Sequence, residues 1–140
     1  MKNKTILFIG LALMIVASCN PPGTETKNQA VADTNSVKAD PNKLIGEWMR
    51  TDGVYKLKIL SATAGGKLDA GYFNPNPIHV GQAEWKVKDK NIIITVVLQD
   101  VNYPSSTYTL QYFPTEDRLA GNYYQAVERV NYSVEFMRQN

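Results

Sequence analysis

The stretch Val54-Tyr55-Lys56-Leu57-Lys58-Ile59-Leu60 decides the fold. Tyr55, Leu57 and Ile59 alternate with Lys56 and Lys58. Successive side chains of an extended chain point to opposite faces, so this segment offers one face to a core and one to water. The same period of two returns in Ala83-Glu84-Trp85-Lys86-Val87-Lys88, in Thr107-Tyr108-Thr109-Leu110-Gln111-Tyr112 and in Val130-Asn131-Tyr132-Ser133-Val134-Glu135-Phe136. The run from Ile92 to Leu98 is apolar on both parities, which predicts cover on both faces or contact with another surface.

Turn chemistry separates these runs. Thr51-Asp52-Gly53 precedes the first, Ala64-Gly65-Gly66 divides two more, Asp89-Lys90-Asn91 fits a tight hairpin and Pro114-Thr115-Glu116-Asp117 a longer one. The count is about eight short strands joined by hairpins, without an amphipathic helix. Regular antiparallel strands with one apolar face predict an all-β meander closed into a barrel, which also removes exposed sheet edges.

Gly46-Glu47-Trp48 stands near the start of this region and Phe136-Met137-Arg138 near its end. Arg138 shares the inward parity of Val134 and Phe136, and an inward charge needs a partner. The face of an indole is one such partner for a guanidinium. In a closed meander the first and last strands are neighbours, so Trp48 and Arg138 are expected to meet. The pattern resembles the calycins, the superfamily of lipocalins, fatty-acid-binding proteins and avidins, in which a Gly-x-Trp on the first strand packs against a basic residue on the last. Gly66-Lys67-Leu68-Asp69-Ala70-Gly71-Tyr72 is also similar to the Gly-x-Leu-x-Gly-x-Tyr hairpin of avidins, with Ala70 shifted in the pattern. The resemblance implies a lipocalin-like or avidin-like barrel over residues 44–140, closed at its base by Gly46, Trp48 and Arg138. It carries over no biotin site, and the lipocalin disulfides are missing.

The chain begins differently. Lys2 and Lys4 precede an apolar run from Ile6 to Ala17 that ends in Val16-Ala17-Ser18-Cys19. The run is roughly 12 residues, the length of a signal-peptide core, and short of the ~20 that span a bilayer. Small residues before the only cysteine resemble the lipobox of bacterial lipoproteins. That resemblance implies cleavage after residue 18, acylation of Cys19 and a lipid anchor in the cell envelope; the alternative is an ordinary signal peptide with a chance cysteine. Asn20, by similarity to enterobacterial lipoproteins, implies the periplasmic side of the outer membrane if the source has two membranes. Residues 19–43 are polar, with Pro21, Pro22 and Gly23 among them, and read as a flexible tether.

The formal charge of +2 belongs to the leader. Without Lys2 and Lys4 the basic residues balance the 13 acidic ones, and no basic run supports a nucleic-acid partner. One histidine and one cysteine do not make a zinc site, and no cofactor is expected. Gly65-Gly66-Lys67-Leu68 lacks the hydroxyl residue of a phosphate loop, there is no Gly-x-Ser-x-Gly elbow, and no carboxylate pair is aimed at one interior point. A non-enzymatic role is therefore expected.

Two features remain. Asn74-Pro75-Asn76-Pro77-Ile78-His79 reads as a proline-stiffened loop, either presenting Asn74, Asn76 and His79 at a barrel mouth or merely connecting strands. All eight tyrosines lie in the barrel region, where they line a pocket or plug the interior. The expected ligand residues are Tyr72, Asn74, Asn76, His79, Tyr108 and Tyr124. The leading expectation is a membrane-anchored module binding a small or extended ligand. The alternative is a protein-interaction module with a filled barrel and an apolar patch around Ile93 and Val97.

Overall fold

The computed structural model describes residues 39–140. The expected signal segment, Cys19 and the tether up to residue 38 lie outside the described residues. Asp40 caps a single 3-10 turn, Pro41–Leu44, accepting the backbone N–H of Asn42 at 3.0 Å, and Leu44 is fully buried. Nine strands follow: β1 (Gly46–Arg50), β2 (Lys56–Ala62), β3 (Leu68–Asn74), β4 (Asn76–Ile78), β5 (Val80–Lys88), β6 (Asn91–Leu98), β7 (Ser106–Phe113), β8 (Arg118–Gln125) and β9 (Val130–Gln139).

Every pairing is antiparallel, and the sheet order is β4-β3-β2-β1-β9-β8-β7-β6-β5. Sequence neighbours pair throughout the meander except β4 and β5, and β1 pairs with β9 to bring the two ends of the domain together. The count of nine against an expected eight has a local cause. Only His79 separates β4 from β5; the first half pairs with β3 and the second with β6. Residues 76–88 therefore act as one bent strand with a neighbour on each side. The backbone carbonyl of His79 accepts from Gln99 N–H at 2.9 Å, and its N–H donates to the Asp100 carboxylate at 3.1 Å, which fixes the bend. A second link lies at the other end of the seam, where Lys67 and Glu84 form a bridge, Trp85 N–H donates to Gly66 O at 2.7 Å and Trp85 Nε1 donates to Thr63 O at 2.8 Å. The result is a nearly closed barrel.

The proline-rich segment expected as a loop is thus largely strand. Pro77 lies opposite Phe73 in the β3–β4 register. A proline is tolerated there because so short a strand pairs along one side and needs few donors. Asp89 and Lys90 both have positive φ, 51° and 67°, the geometry of a two-residue hairpin whose twist matches its strands.

Parity sorts the side chains. Leu57 and Ile59, then Ile92, Ile94, Val96 and Leu98, then Tyr108, Leu110 and Tyr112, then Val134 and Phe136 are buried. On β6 the outward set Ile93, Thr95 and Val97 is half-buried rather than enclosed. Its register neighbours are Lys86 and Gln111 beside Ile93, and Gln82 and Thr107 beside Val97. The stems of such side chains shade apolar surface while their heads stay in water. The interior is filled by large groups, with Trp48, Tyr72, Tyr108 and Phe136 all essentially inaccessible.

The floor of the barrel gathers the 3-10 turn, the start of β1, the β7–β8 turn and the end of β9. Trp48 and Arg138 are directly opposite in the β1–β9 register, and the Arg138 guanidinium lies 4.1 Å above the indole. Its nitrogens donate to Ile45 O at 2.8 Å, to Lys43 O and to both oxygens of Asp117. Trp48 Nε1 donates to Leu44 O at 2.9 Å, and Tyr112 meets the indole edge-on with centroids 6.0 Å apart. Gly46 adopts φ +146°, and a Cβ there would collide with Arg138 Nη1. A glycine is needed at this position for both reasons.

Arg138 beside Asp117 holds that carboxyl below the usual carboxylate range. A depressed carboxyl contributes stability above its unfolded pKa of about 3.9, and the contribution is lost as pH falls through the folded value. Asp117 is part-exposed, so the effect is screened to about 1 kcal/mol or less. Thermal melts should therefore show a smaller loss of stability between neutral pH and about pH 3 in Asp117→Asn than in the native chain.

Candidate functional site

The opposite end, the mouth, is formed by the β1–β2 turn, the β3–β4 turn, the β6–β7 loop and the β8–β9 turn. The inward parity that buries Trp48 also turns Arg50 into the barrel, opposite Phe136 in the β1–β9 register. The Arg50 side chain is 10% exposed. Its Nε and Nη2 grip the two oxygens of Asp52 at 2.5 and 2.8 Å, its Nη1 donates to the Tyr108 hydroxyl at 3.2 Å, and its guanidinium lies 3.9 Å from the centre of the Tyr55 ring. Burial opposes the charge, but Asp52 and Tyr108 outweigh it and hold the group protonated above its ordinary range.

Tyrosines surround this arginine. The hydroxyls of Tyr72 and Tyr108 share a hydrogen bond of 2.7 Å, and their rings lie 5.3 Å apart. Tyr108 stacks on Tyr123 with centroids 4.4 Å apart and planes 21° apart. Tyr123 in turn lies 6.3 Å from Tyr132, with planes 24° apart. The series climbs from a core residue, Tyr108, to a rim residue, Tyr132, which is 43% exposed. Across the mouth, Asn74 Nδ2 donates to the Tyr103 hydroxyl at 2.8 Å. Burial pushes the Tyr108 phenol up to about 12 and the Tyr72 phenol higher still. Both are protonated near neutral pH, so they serve as hydrogen-bonding groups rather than as bases.

The six expected ligand residues fall into separate places. Tyr72 and Tyr108 are joined but buried inside the barrel. Asn74 is at the mouth, tied to Tyr103; Asn76 faces it across the β3–β4 turn and is exposed. His79 is exposed and holds the bend through its backbone. Tyr124 lies on the outer wall, between Thr107 and Asn131 in register, one residue out of phase with inward Tyr123. The mouth also contains Arg50, Tyr55, Tyr123 and Tyr132, which the expected set omits. Arg50 was accessible to the same parity reasoning as Arg138, since it lies two residues beyond Trp48 on β1.

A depression of about 380 Å³ is lined by Thr51 and Asp52 of the β1–β2 turn together with Ala120 and Gly121 of β8 and Ser133, Val134 and Glu135 of β9. No tyrosine is among its lining residues. Among the described residues no three His, Cys, Asp or Glu side chains are grouped to hold a metal ion.

Fold and site together define a small antiparallel meander barrel, filled at its centre, with an arginine and a tyrosine series beneath one open end. No family model, no curated protein and no solved structure matches the chain.

Proposed function

We propose that the protein is a non-catalytic binding module of the bacterial cell envelope, a calycin-type barrel held to a membrane by an acylated Cys19 and binding its ligand at the mouth. The observation that carries the binding reading is the asymmetry between the two barrel ends. At the floor the charged group is locked by backbone carbonyls, Asp117 and an indole. At the mouth Arg50 is also paired, but the rim above it is open: Tyr132 is 43% exposed, and Asn74 and Tyr103 are only half-buried. A ligand would rest on this rim, because the interior beneath it is filled by Tyr72, Tyr108 and Phe136. Few polar groups on an aromatic surface are the usual make-up of a ligand site.

The anchor is tested by Cys19→Ser, which is expected to move the protein from the membrane fraction to the soluble fraction; unchanged fractionation removes the lipid anchor. The mouth is tested by thermal shift of the full chain in detergent against envelope glycans and lipids, beside Asn74→Ala. A ligand whose shift survives loss of Asn74 does not use this rim.

A second reading, a protein-interaction module, is favoured by one observation. Val54, Val101 and Val127 stand at the tips of three different mouth loops and are well exposed, Val101 at 90%. Exposed aliphatic groups gathered at one end suit a protein contact. A partner captured from native envelope by the full chain, and lost with Val101→Asp, would select this reading.

A further inference from the structure

The stack beneath the rim offers more than a general binding surface. Tyr132 lies beside Tyr123 in a near-parallel, offset arrangement, and Tyr123 stacks on Tyr108. Tyr108 is itself held by Tyr72 and by Arg50 through its hydroxyl. The exposed ring is therefore braced down to the core. An aromatic ring held this way loses little conformational freedom when something is laid upon it.

The edge of the same ring is polar and anionic. The Tyr132 hydroxyl donates to Glu128 Oε2 at 3.0 Å, and Glu128 N–H donates to Gln125 Oε1, so the β8–β9 turn is built around this edge. One carboxylate oxygen is thereby engaged, which leaves acceptor capacity on the other for a hydroxyl donor. Val130 and Val127, both exposed, lie on the same hairpin and give an apolar border. A braced ring face, a carboxylate at its edge and an apolar margin match a ligand with one face of C–H groups and hydroxyls around its perimeter. A free anion is disfavoured by Glu128, and a wholly apolar ring would leave its second carboxylate oxygen without a donor.

Resting on the mouth-binding reading above, we propose that Tyr132 and Glu128 form a saccharide-binding platform, with a sugar ring stacked on Tyr132 and one of its hydroxyls donating to Glu128. The test titrates the full chain in detergent with chitohexaose, cellohexaose and maltohexaose at up to millimolar concentration, following tyrosine fluorescence and calorimetric heat. At least one should bind. Tyr132→Ala should weaken that binding by about tenfold or more. Tyr132→Phe should stay within about threefold, because the stacking face survives, and Glu128→Gln should give an intermediate loss. Tyr132 is a rim residue, so these variants are expected to keep the native melting profile, which is measured alongside. Binding that ignores Tyr132→Ala overturns the platform, as does the absence of binding by all three sugars. In either case Asn74→Ala and Val101→Asp still report on the mouth as a whole, so failure of the saccharide assignment is separable from failure of the mouth reading.

Discussion

Trp48→Ala should lower the stability of the barrel by about 3–5 kcal/mol, the range for removing a fully buried large aromatic side chain. Three losses combine at this position. A cavity opens beneath Leu44 and Tyr112, and the guanidinium of Arg138 loses the face it covers at 4.1 Å. The carbonyl of Leu44 also loses the indole N–H. Trp48→Phe keeps an aromatic face and gives up mainly that hydrogen bond and some volume, so its cost should be smaller, about 1–2 kcal/mol. Urea unfolding distinguishes them: the midpoint should fall in the order native, Phe, Ala, with the slope unchanged if only the folded state is affected. An Ala variant as stable as the Phe variant would mean that the indole does not close the floor.

Tyr108→Ala should cost a similar amount, about 3–5 kcal/mol, from the middle of the barrel. The ring touches Tyr72, Tyr123 and Phe136, and its hydroxyl joins Tyr72 to Arg50. Tyr108→Phe isolates the hydroxyl. It leaves the Tyr72 phenol buried without its partner and should cost about 1–3 kcal/mol. Small domains carry only about 5–15 kcal/mol in total, so the Ala variant should lie close to unfolding at moderate temperature. Circular dichroism melts and urea midpoints read both effects. Tyr108, expected from sequence as a ligand contact, is thus a poor choice for probing binding, because its loss removes the support of the site. Tyr132 and Asn74 probe the same end of the barrel without emptying the core.

The strand phases were legible because one buried face enforces a period of two, and a slip of one residue would turn Leu57 and Ile59 to water. The approach of Trp48 and Arg138 was legible from parity together with closure. Other features depended on distances between strands that no local pattern encodes. Arg50 has the parity of Trp48, but its contact with Tyr108 on β7 depends on the width of the closed barrel. Tyr123 and Tyr124 are adjacent tyrosines, and only the β7–β8 and β8–β9 registers decide which one turns inward. The proline-rich segment reads as a loop from sequence because its pairing is confined to three residues beside β3.

The bent strand of residues 76–88 sets how the cylinder can fail. Every other stave is laced to its neighbours along much of its length, but here the ring is fastened at its two extremities, by the β3–β4 pairs at one and the Lys67–Glu84 bridge at the other. The stretch between those fasteners is the slit along which a thermal fluctuation parts the wall most cheaply, since local opening starts where fewest backbone bonds must break. A cylinder that splits along that line unrolls into a flat ribbon with the β1–β9 lock still shut. The molecule's most conspicuous fastening is therefore not the place where opening starts.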